Sequence, residues 1–375
     1  MRIAFYAPMK SPLHPVPSGD RRMARLLMKA ISEAGYQVDL ASEFRSFDKA
    51  GDLAYQTEMR KKGCVEGDRL IAAYRAAGRR ERPDAWFTYH LYHKAPDWIG
   101  PKVAKALNIP YFVAEASHAP KRKNGPWSIG YDAAEKAIAS ADKVFHMTRL
   151  DGECLTQIAN QPEQLVYLPP FLDVNQPASP AKALEEKIKH AGGTEECLTL
   201  LTVAMMRSGD KFKSYDQLAE ALDHLQGDDW QLIIVGDGPE QAKVLSLFSR
   251  HENRIVWLGE LSAAELFALY EIADLYVWPA SGEAYGMTFL EAGSCGLPVI
   301  SCKTRGVPDV VIDQKTGVLA REGDLPQFAS LIRNLLDDRA LRQKLGQNAK
   351  AFVSEERSLA NAASLLKFHF QDALG

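Results

Sequence analysis

The sequence predicts an α/β protein built from two Rossmann-like domains. Three observations carry this. Short apolar runs that read as buried parallel strands alternate with helical segments along most of the chain. The alternation starts twice, at Ile3 and again at Leu198, on either side of a Pro-, Ala- and Lys-rich stretch at 174–197. At 375 residues, the chain is long for one core, so two domains are the prior.

Ile3 to Ala7 reads as the first strand. The loop from Pro8 to Pro17 holds four prolines, which makes it stiff and extended. Ser18 is a candidate N-cap for a helix with apolar positions at Met23, Leu26, Leu27, Ala30 and Ile31. Gly35 ends that helix, and Val38 to Ala41 is the next strand. This opening βαβ unit lacks G-x-G-x-x-G, which counts against a dinucleotide oxidoreductase. Residues 44–82 are charge-rich and helical in pattern. Trp86 to His90 and Pro110 to Glu115 read as strands, each followed by histidines: His90 and His93, then His118. Ligands of open α/β sheets bind beyond the carboxyl ends of strands, so His118 is well placed, although a lone histidine is more often structural. The segment Lys121 to Ile129, with Gly125-Pro126-Trp127, reads as a mobile acceptor loop. Its Lys121-Arg122-Lys123 run is either a solvated loop or a contact for lipid or polyanion. Strands follow at Lys143–Met147 and Leu165–Leu168.

The second alternation runs through Leu198–Ala204, Gln231–Val235, Ile255–Gly259 and Leu275–Trp278, and then to Val299–Cys302. Beyond residue 320 helices dominate, and Leu359 to Phe370 is amphipathic. The densest stretch is Ser281–Gly306. Glu283 and Glu291 stand there with seven residues between them, Gly286 precedes a short helix at Met287–Ser294, and Gly296 has the position of a C′ glycine. Gly286 would let backbone approach a ligand, and the free N–H groups of Gly286, Met287 and Thr288 would suit a phosphate. Two flanking carboxylates could accept hydrogen bonds from sugar hydroxyls. Glu291 could equally be a first-turn carboxylate on the helix dipole, and Glu283 a solvated loop residue.

This stretch, with Gly296-Leu297-Pro298-Val299-Ile300, resembles the E-x7-E signature of retaining GT-B glycosyltransferases, in particular family 4. Gly306-Val307-Pro308-Asp309 resembles the segment that follows it there, with Asp309 where the family usually has Glu. Ser18 and Gly19 match a glycine loop after the first strand. Glu115-Ala116-Ser117-His118 resembles a segment whose histidine contacts the transferred sugar, with Ala119 in place of the usual Asp. Pro169 to Asp173 resembles the turn that ends the first domain, without its Asn-Gly pair. Arg207 and Lys213, with Ser214 in place of Gly, resemble the pair that holds the diphosphate. Gly236-Asp237-Gly238-Pro239 matches a Gly-x-Gly-Pro turn, and the strand ending at Gly259 resembles the one whose following backbone takes the nucleobase.

The resemblance implies a GT-B architecture, two Rossmann-like domains facing across a cleft: 1–173 plus 357–375 on the acceptor side and 174–356 for the nucleotide sugar. It implies a retaining transfer of sugar from a nucleoside-diphosphate sugar to a glycan or lipid-linked acceptor, of the kind used in surface polysaccharide synthesis. Glu291 would take the donor ribose and Glu283 the donor sugar. No cofactor is expected, only the nucleotide-sugar co-substrate. No Asp-x-Asp has the spacing of a metal-held diphosphate, since Asp228-Asp229 precedes a strand, so a metal-independent mechanism is expected. An epimerase or hydrolase of the same fold, or a two-lobed sugar-binding protein, remains open.

Net charge is −3, which gives no basic footprint for nucleic acid. Five cysteines, an odd number without C-x2-C spacing, argue for a reducing compartment. With no signal-peptide pattern, a cytoplasmic protein is expected, with weak contact to a membrane surface left open.

Overall fold

The computed structural model describes residues 1–16, 18–174, 181–194, 196–225 and 229–374. Pro17, Asp228 and part of the 174–197 stretch, on which three of the readings above fall, lie outside the described residues. The chain divides into two compact units, Met1–Pro169 with Leu359–Gly375, and Pro170–Ser358.

The first unit holds six parallel strands: β1 (Arg2–Tyr6), β2 (Gln37–Ser42), β3 (Ala85–Leu91), β4 (Tyr111–Ala116), β5 (Lys143–His146) and β6 (Leu165–Tyr167), in the order β2-β1-β3-β4-β5-β6. The strands read as continuous apolar runs because both faces are covered. Phe5, Phe87, Phe112 and Phe145 are fully buried, and Phe370 of the last helix, Leu359–Leu374, stacks on Phe112 at 4.7 Å. That helix packs beside the first helix, Gly19–Glu33, whose N-cap Ser18 accepts a hydrogen bond from the Arg21 backbone at 3.2 Å.

The second unit holds β7 (Leu198–Val203), β8 (Trp230–Val235), β9 (Ile255–Gly259), β10 (Leu275–Val277), β11 (Val299–Lys303) and β12 (Gly317–Arg321). Their order is β12-β11-β10-β7-β8-β9, all parallel. Read from the other edge this is the doubly wound order 3-2-1-4-5-6, which reverses between β7 and β10. Loops leaving the carboxyl ends of those two neighbours diverge, one to each face, and leave a crevice. In the first unit the corresponding reversal lies between β1 and β3. No helix among the described residues is long and apolar enough to cross a membrane.

Candidate functional site

The loops after β7 and β10 carry the residues of the E-x7-E stretch and their partners. Three left-handed residues bend the β10 loop within seven positions: Ala280 (φ 60°), Gly282 (φ 64°) and Gly286 (φ 84°). The last ends the loop as N-cap of the helix Met287–Ser294, which has no side-chain cap. The turn needs glycine at 286 twice over. Its φ disfavours a side chain, and a Cβ would sit 2.6 Å from the Phe289 ring. The result is a helix N-terminus whose first N–H groups carry partial positive charge, as the Gly286, Met287 and Thr288 reading requires. Thr288 is fixed from below, with its Oγ1 2.9 Å from the buried Tyr276 hydroxyl.

The two glutamates differ. Glu291 is 2 % exposed, and its Oε2 accepts a hydrogen bond from the Tyr270 hydroxyl at 2.9 Å. A carboxylate this buried is held by the protein and not by bulk water. Glu283 stands on the loop, one-fifth exposed, and its Oε2 is paired with Lys211 Nζ. The Lys211 ammonium also lies 5.6 Å above the ring of the buried Trp278. Trp278 in turn meets Tyr215 edge-on at 4.9 Å, and the Tyr215 hydroxyl donates to the Ala204 carbonyl at 2.7 Å. The floor between the two loops is therefore rigid.

The lysine that reaches Glu283 is thus Lys211. Lys213, two residues on in the helix Asp210–Leu222, is exposed. Arg207 is exposed on the β7 loop, at the mouth of the same crevice. Gly236 and Gly238 are positioned, but for the chain's own packing: a Cβ on Gly238 would lie 2.3 Å from the Met206 carbonyl, and one on Gly236 2.0 Å from that of Ala204. The Gly-x-Gly-Pro turn so braces the loop that carries Arg207. Gly259 ends β9 and its carbonyl accepts from Gly236 N–H at 2.8 Å. Asp309 is buried, and its backbone carbonyl accepts from Arg357 at 3.2 Å.

The remaining candidates belong to the first unit. His118 is buried, with Nε2 2.8 Å from the Tyr131 hydroxyl and 3.4 Å from Glu135, while its Nδ1 has no partner. Ser18 caps its helix, and Gly19 opens it. Sequence reasoning missed a charged cluster formed by the ends of β3 and β4 and the first turn of the helix Gly19–Glu33. His90 Nδ1 lies 3.1 Å from Asp20 and 4.0 Å from Glu115, and both His90 (φ 61°) and Glu115 (φ 54°) are left-handed. Burial opposes the charged form of His90, but Glu115 and Asp20 outweigh it and raise its pKa to about 9. The paired backbone irregularity has no sequence signal in a strand that otherwise reads as regular. The loop 121–129, expected to be mobile, is pinned: Trp127 Nε1 donates to the Asp48 carbonyl at 3.0 Å, and Gln56 Nε2 to the Pro126 carbonyl at 2.8 Å.

Residues 195–352 match the family model of glycosyl transferases group 1. N-acetyl-alpha-D-glucosaminyl L-malate synthase of Bacillus anthracis is 34% identical over 149 residues, 39% of this chain and 38% of that protein. The first curated relatives are spanned over only 27% to 61% of their own lengths. Among solved structures, Anabaena Alr3699/HepE in complex with UDP superposes with a TM-score of 0.75 at 15% identity, covering 99% of this chain and 100% of that one. Sucrose-phosphate synthase from Thermosynechococcus elongatus gives 0.72 at 18% identity, covering 99% and 98%. These two likenesses are of fold.

Proposed function

Starting from a chain whose residues 195–352 match the family model of glycosyl transferases group 1 and whose fold is GT-B, we propose a retaining transfer of a sugar from a nucleoside-diphosphate sugar to a glycan or lipid-linked acceptor. One observation carries the reading. The helix N-terminus at Gly286, the Lys211–Glu283 pair and buried Glu291 all stand on elements that meet the crevice between β7 and β10.

The chemistry assigned to each group follows from its charge. As the bond from sugar to diphosphate breaks, negative charge grows on the leaving phosphate. The N–H groups of Gly286, Met287 and Thr288 and the cations Arg207 and Lys211 face that charge, and preorganised donors of this kind are worth several kcal/mol. Lys213, exposed on the same helical turn, adds charge at longer range. Glu291 accepts from the ribose hydroxyls and Glu283 from a hydroxyl of the sugar, each beside the phosphate and not beneath it. Gly236, Gly238 and Gly259 shape the backbone that lines the nucleoside. His118, Ser18 and Gly19 belong to the acceptor-side unit, and a surface polysaccharide precursor is the acceptor proposed for it. The reaction needs no metal in this reading, because cations and helix amides supply the charge.

A thermal-shift screen against UDP, GDP, ADP and their nucleosides tests the donor half. One diphosphate should raise the melting temperature, by the equivalent of about 2.7 kcal/mol at a hundredfold excess over its Kd, and its nucleoside should do much less. No shift with any diphosphate would overturn the proposal.

A further inference from the structure

On the first unit, cations that no carboxylate neutralises gather around one indole. Lys94 Nζ lies 4.5 Å from the centroid of the Trp127 ring, and the Arg122 guanidinium lies 5.5 Å from it. Both side chains are half-buried, and neither makes an ion pair among the described residues. His93 meets the same ring edge-on at 5.8 Å, and both of its ring nitrogens are buried without a partner. Burial, with Lys94 and Arg122 beside it, lowers its pKa to about 4, so at neutral pH it is an uncharged imidazole with one N–H to donate.

The support beneath is built. Trp127 is tied to the Asp48 carbonyl and Pro126 to Gln56, and Gly130 N–H donates to Gln56 Oε1 at 3.1 Å. The Asp48 carboxylate, 4 % exposed, is engaged by the backbone N–H groups of residues 50, 51 and 52 and by Gln56 Nε2, and it forms no ion pair with Lys94 or Arg122. Asp48 N–H donates to the Lys94 carbonyl at 2.8 Å, which fixes the base of that side chain. The group sits on the loops that leave the carboxyl ends of β3 and β4, the side of an open parallel sheet where ligands bind.

Like charges held against one indole repel unless an anion joins them. Guanidinium, ammonium and a neutral imidazole N–H are donors only toward such a guest, and all three are suited to phosphate oxygens. We propose that Lys94, Arg122, His93 and Trp127 form a binding site for a phosphate ester, and, resting on the transferase reading above, that this phosphate belongs to the acceptor. The sequence run Lys121-Arg122-Lys123 is then more than a solvated loop: Arg122 is the member that turns onto the indole, and Lys121 and Lys123 stay exposed around it.

The test uses the whole protein saturated with the nucleoside diphosphate that stabilises it in the screen above, which fills the donor site. Glycerol 3-phosphate is titrated calorimetrically, and flotation follows binding to phosphatidylcholine vesicles with and without phosphatidylglycerol. The wild type should bind at least one phosphate-bearing probe. The double variant Lys94→Gln/Arg122→Gln should lose about ten- to hundredfold in affinity, the worth of charge-assisted hydrogen bonds. Arg122→Lys should keep part of it. A control that removes the same charge from an exposed helix surface elsewhere on the unit, Lys61→Gln/Lys62→Gln, should bind like the wild type. Binding of the soluble ester places the recognition in the phosphate itself, and binding only to the anionic vesicles places it in a lipid headgroup. The proposal is overturned when no probe binds the wild type, or when the two double variants bind alike. Should no nucleoside diphosphate bind, the donor reading fails, and the same titrations run without a nucleotide still decide this site.

Discussion

Lys211→Ala and Lys213→Ala differ by two positions on one helix and should differ sharply in consequence. Lys211 Nζ is paired with Glu283, and the two side chains are 26 % and 20 % exposed. At an effective dielectric near 20 such a contact is worth about 4 kcal/mol of gross attraction, most of it offset by desolvation of the two ions. Removing the lysine leaves the Glu283 carboxylate one-fifth exposed without its counter-charge. About 1–2 kcal/mol of stability should be lost, well under the figure for a fully buried pair. Lys213 is exposed, and its removal should cost less than about 0.5 kcal/mol. The same contrast should appear in ligand binding. A charge-assisted hydrogen bond to diphosphate is worth about 1.5–3 kcal/mol, so Lys211→Ala should weaken the nucleoside diphosphate that stabilises the protein by about ten- to hundredfold and Lys213→Ala by about twofold or less. Urea unfolding gives the first number and calorimetry with that diphosphate the second. The matching nucleoside, which has no phosphate, serves as the control and should bind both variants alike. A larger loss of diphosphate affinity in Lys213→Ala than in Lys211→Ala would refute the reasoning.

Three further outcomes are expected. Glu291→Ala should weaken the same nucleoside diphosphate and also lower stability by about 1–3 kcal/mol, because the buried Tyr270 hydroxyl loses its acceptor, whereas Glu291→Gln keeps an acceptor and should lower mainly the affinity; equal stability losses in urea would assign Glu291 to packing alone. The raised pKa of His90 makes its contribution to stability fully present below pH 6.5 and lost as pH rises through about 9, on the order of 3 kcal/mol in all. Urea unfolding across that window should therefore show a decline that His90→Gln flattens, and an unchanged profile in the variant would contradict the assignment. EDTA should leave sugar transfer largely intact; loss of activity on chelation, restored by Mg²⁺ or Mn²⁺, would contradict a mechanism driven by side-chain cations and helix amides.

The second unit was the more legible in sequence. Its strands are short apolar runs bounded by turn residues, and the helix Met287–Ser294 with Gly296 after it follows directly from a glycine at each end. Helical periodicity also carried the last helix, because its apolar stripe packs on the first unit's sheet. What sequence could not give is which of several like residues turns inward. Lys211 and Lys213 have the same chemistry and the same helix, and only their different azimuths bring one to Glu283. The motif spacing favoured Lys213. Nor could a glycine's reason be read: Gly236 and Gly238 look like ligand contacts, yet the backbone at Ala204 and Met206 already fills the space a Cβ would need. In the first unit, His90 and Glu115 are ordinary strand residues by pattern. Their left-handed backbone arises from adjacent strands irregular at the same register, which local propensity does not encode. The loop 121–129 looked mobile from its glycine and basic residues. It is held by Asp48 and Gln56, residues about seventy positions or more away.

The most direct test of the central claim is turnover followed by proton NMR. The protein is supplied with the nucleoside-diphosphate sugars of whichever base stabilises it, together with candidate phosphate-bearing and plain glycan acceptors. The account predicts release of the nucleoside diphosphate, a new glycoside whose anomeric coupling matches that of the donor, and loss of both signals in Glu283→Gln. An inverted product would remove the retaining mechanism. Conversion of the donor to an epimer or to free sugar with every acceptor present, or no conversion at all by a protein that still binds the diphosphate, would contradict the transferase reading itself.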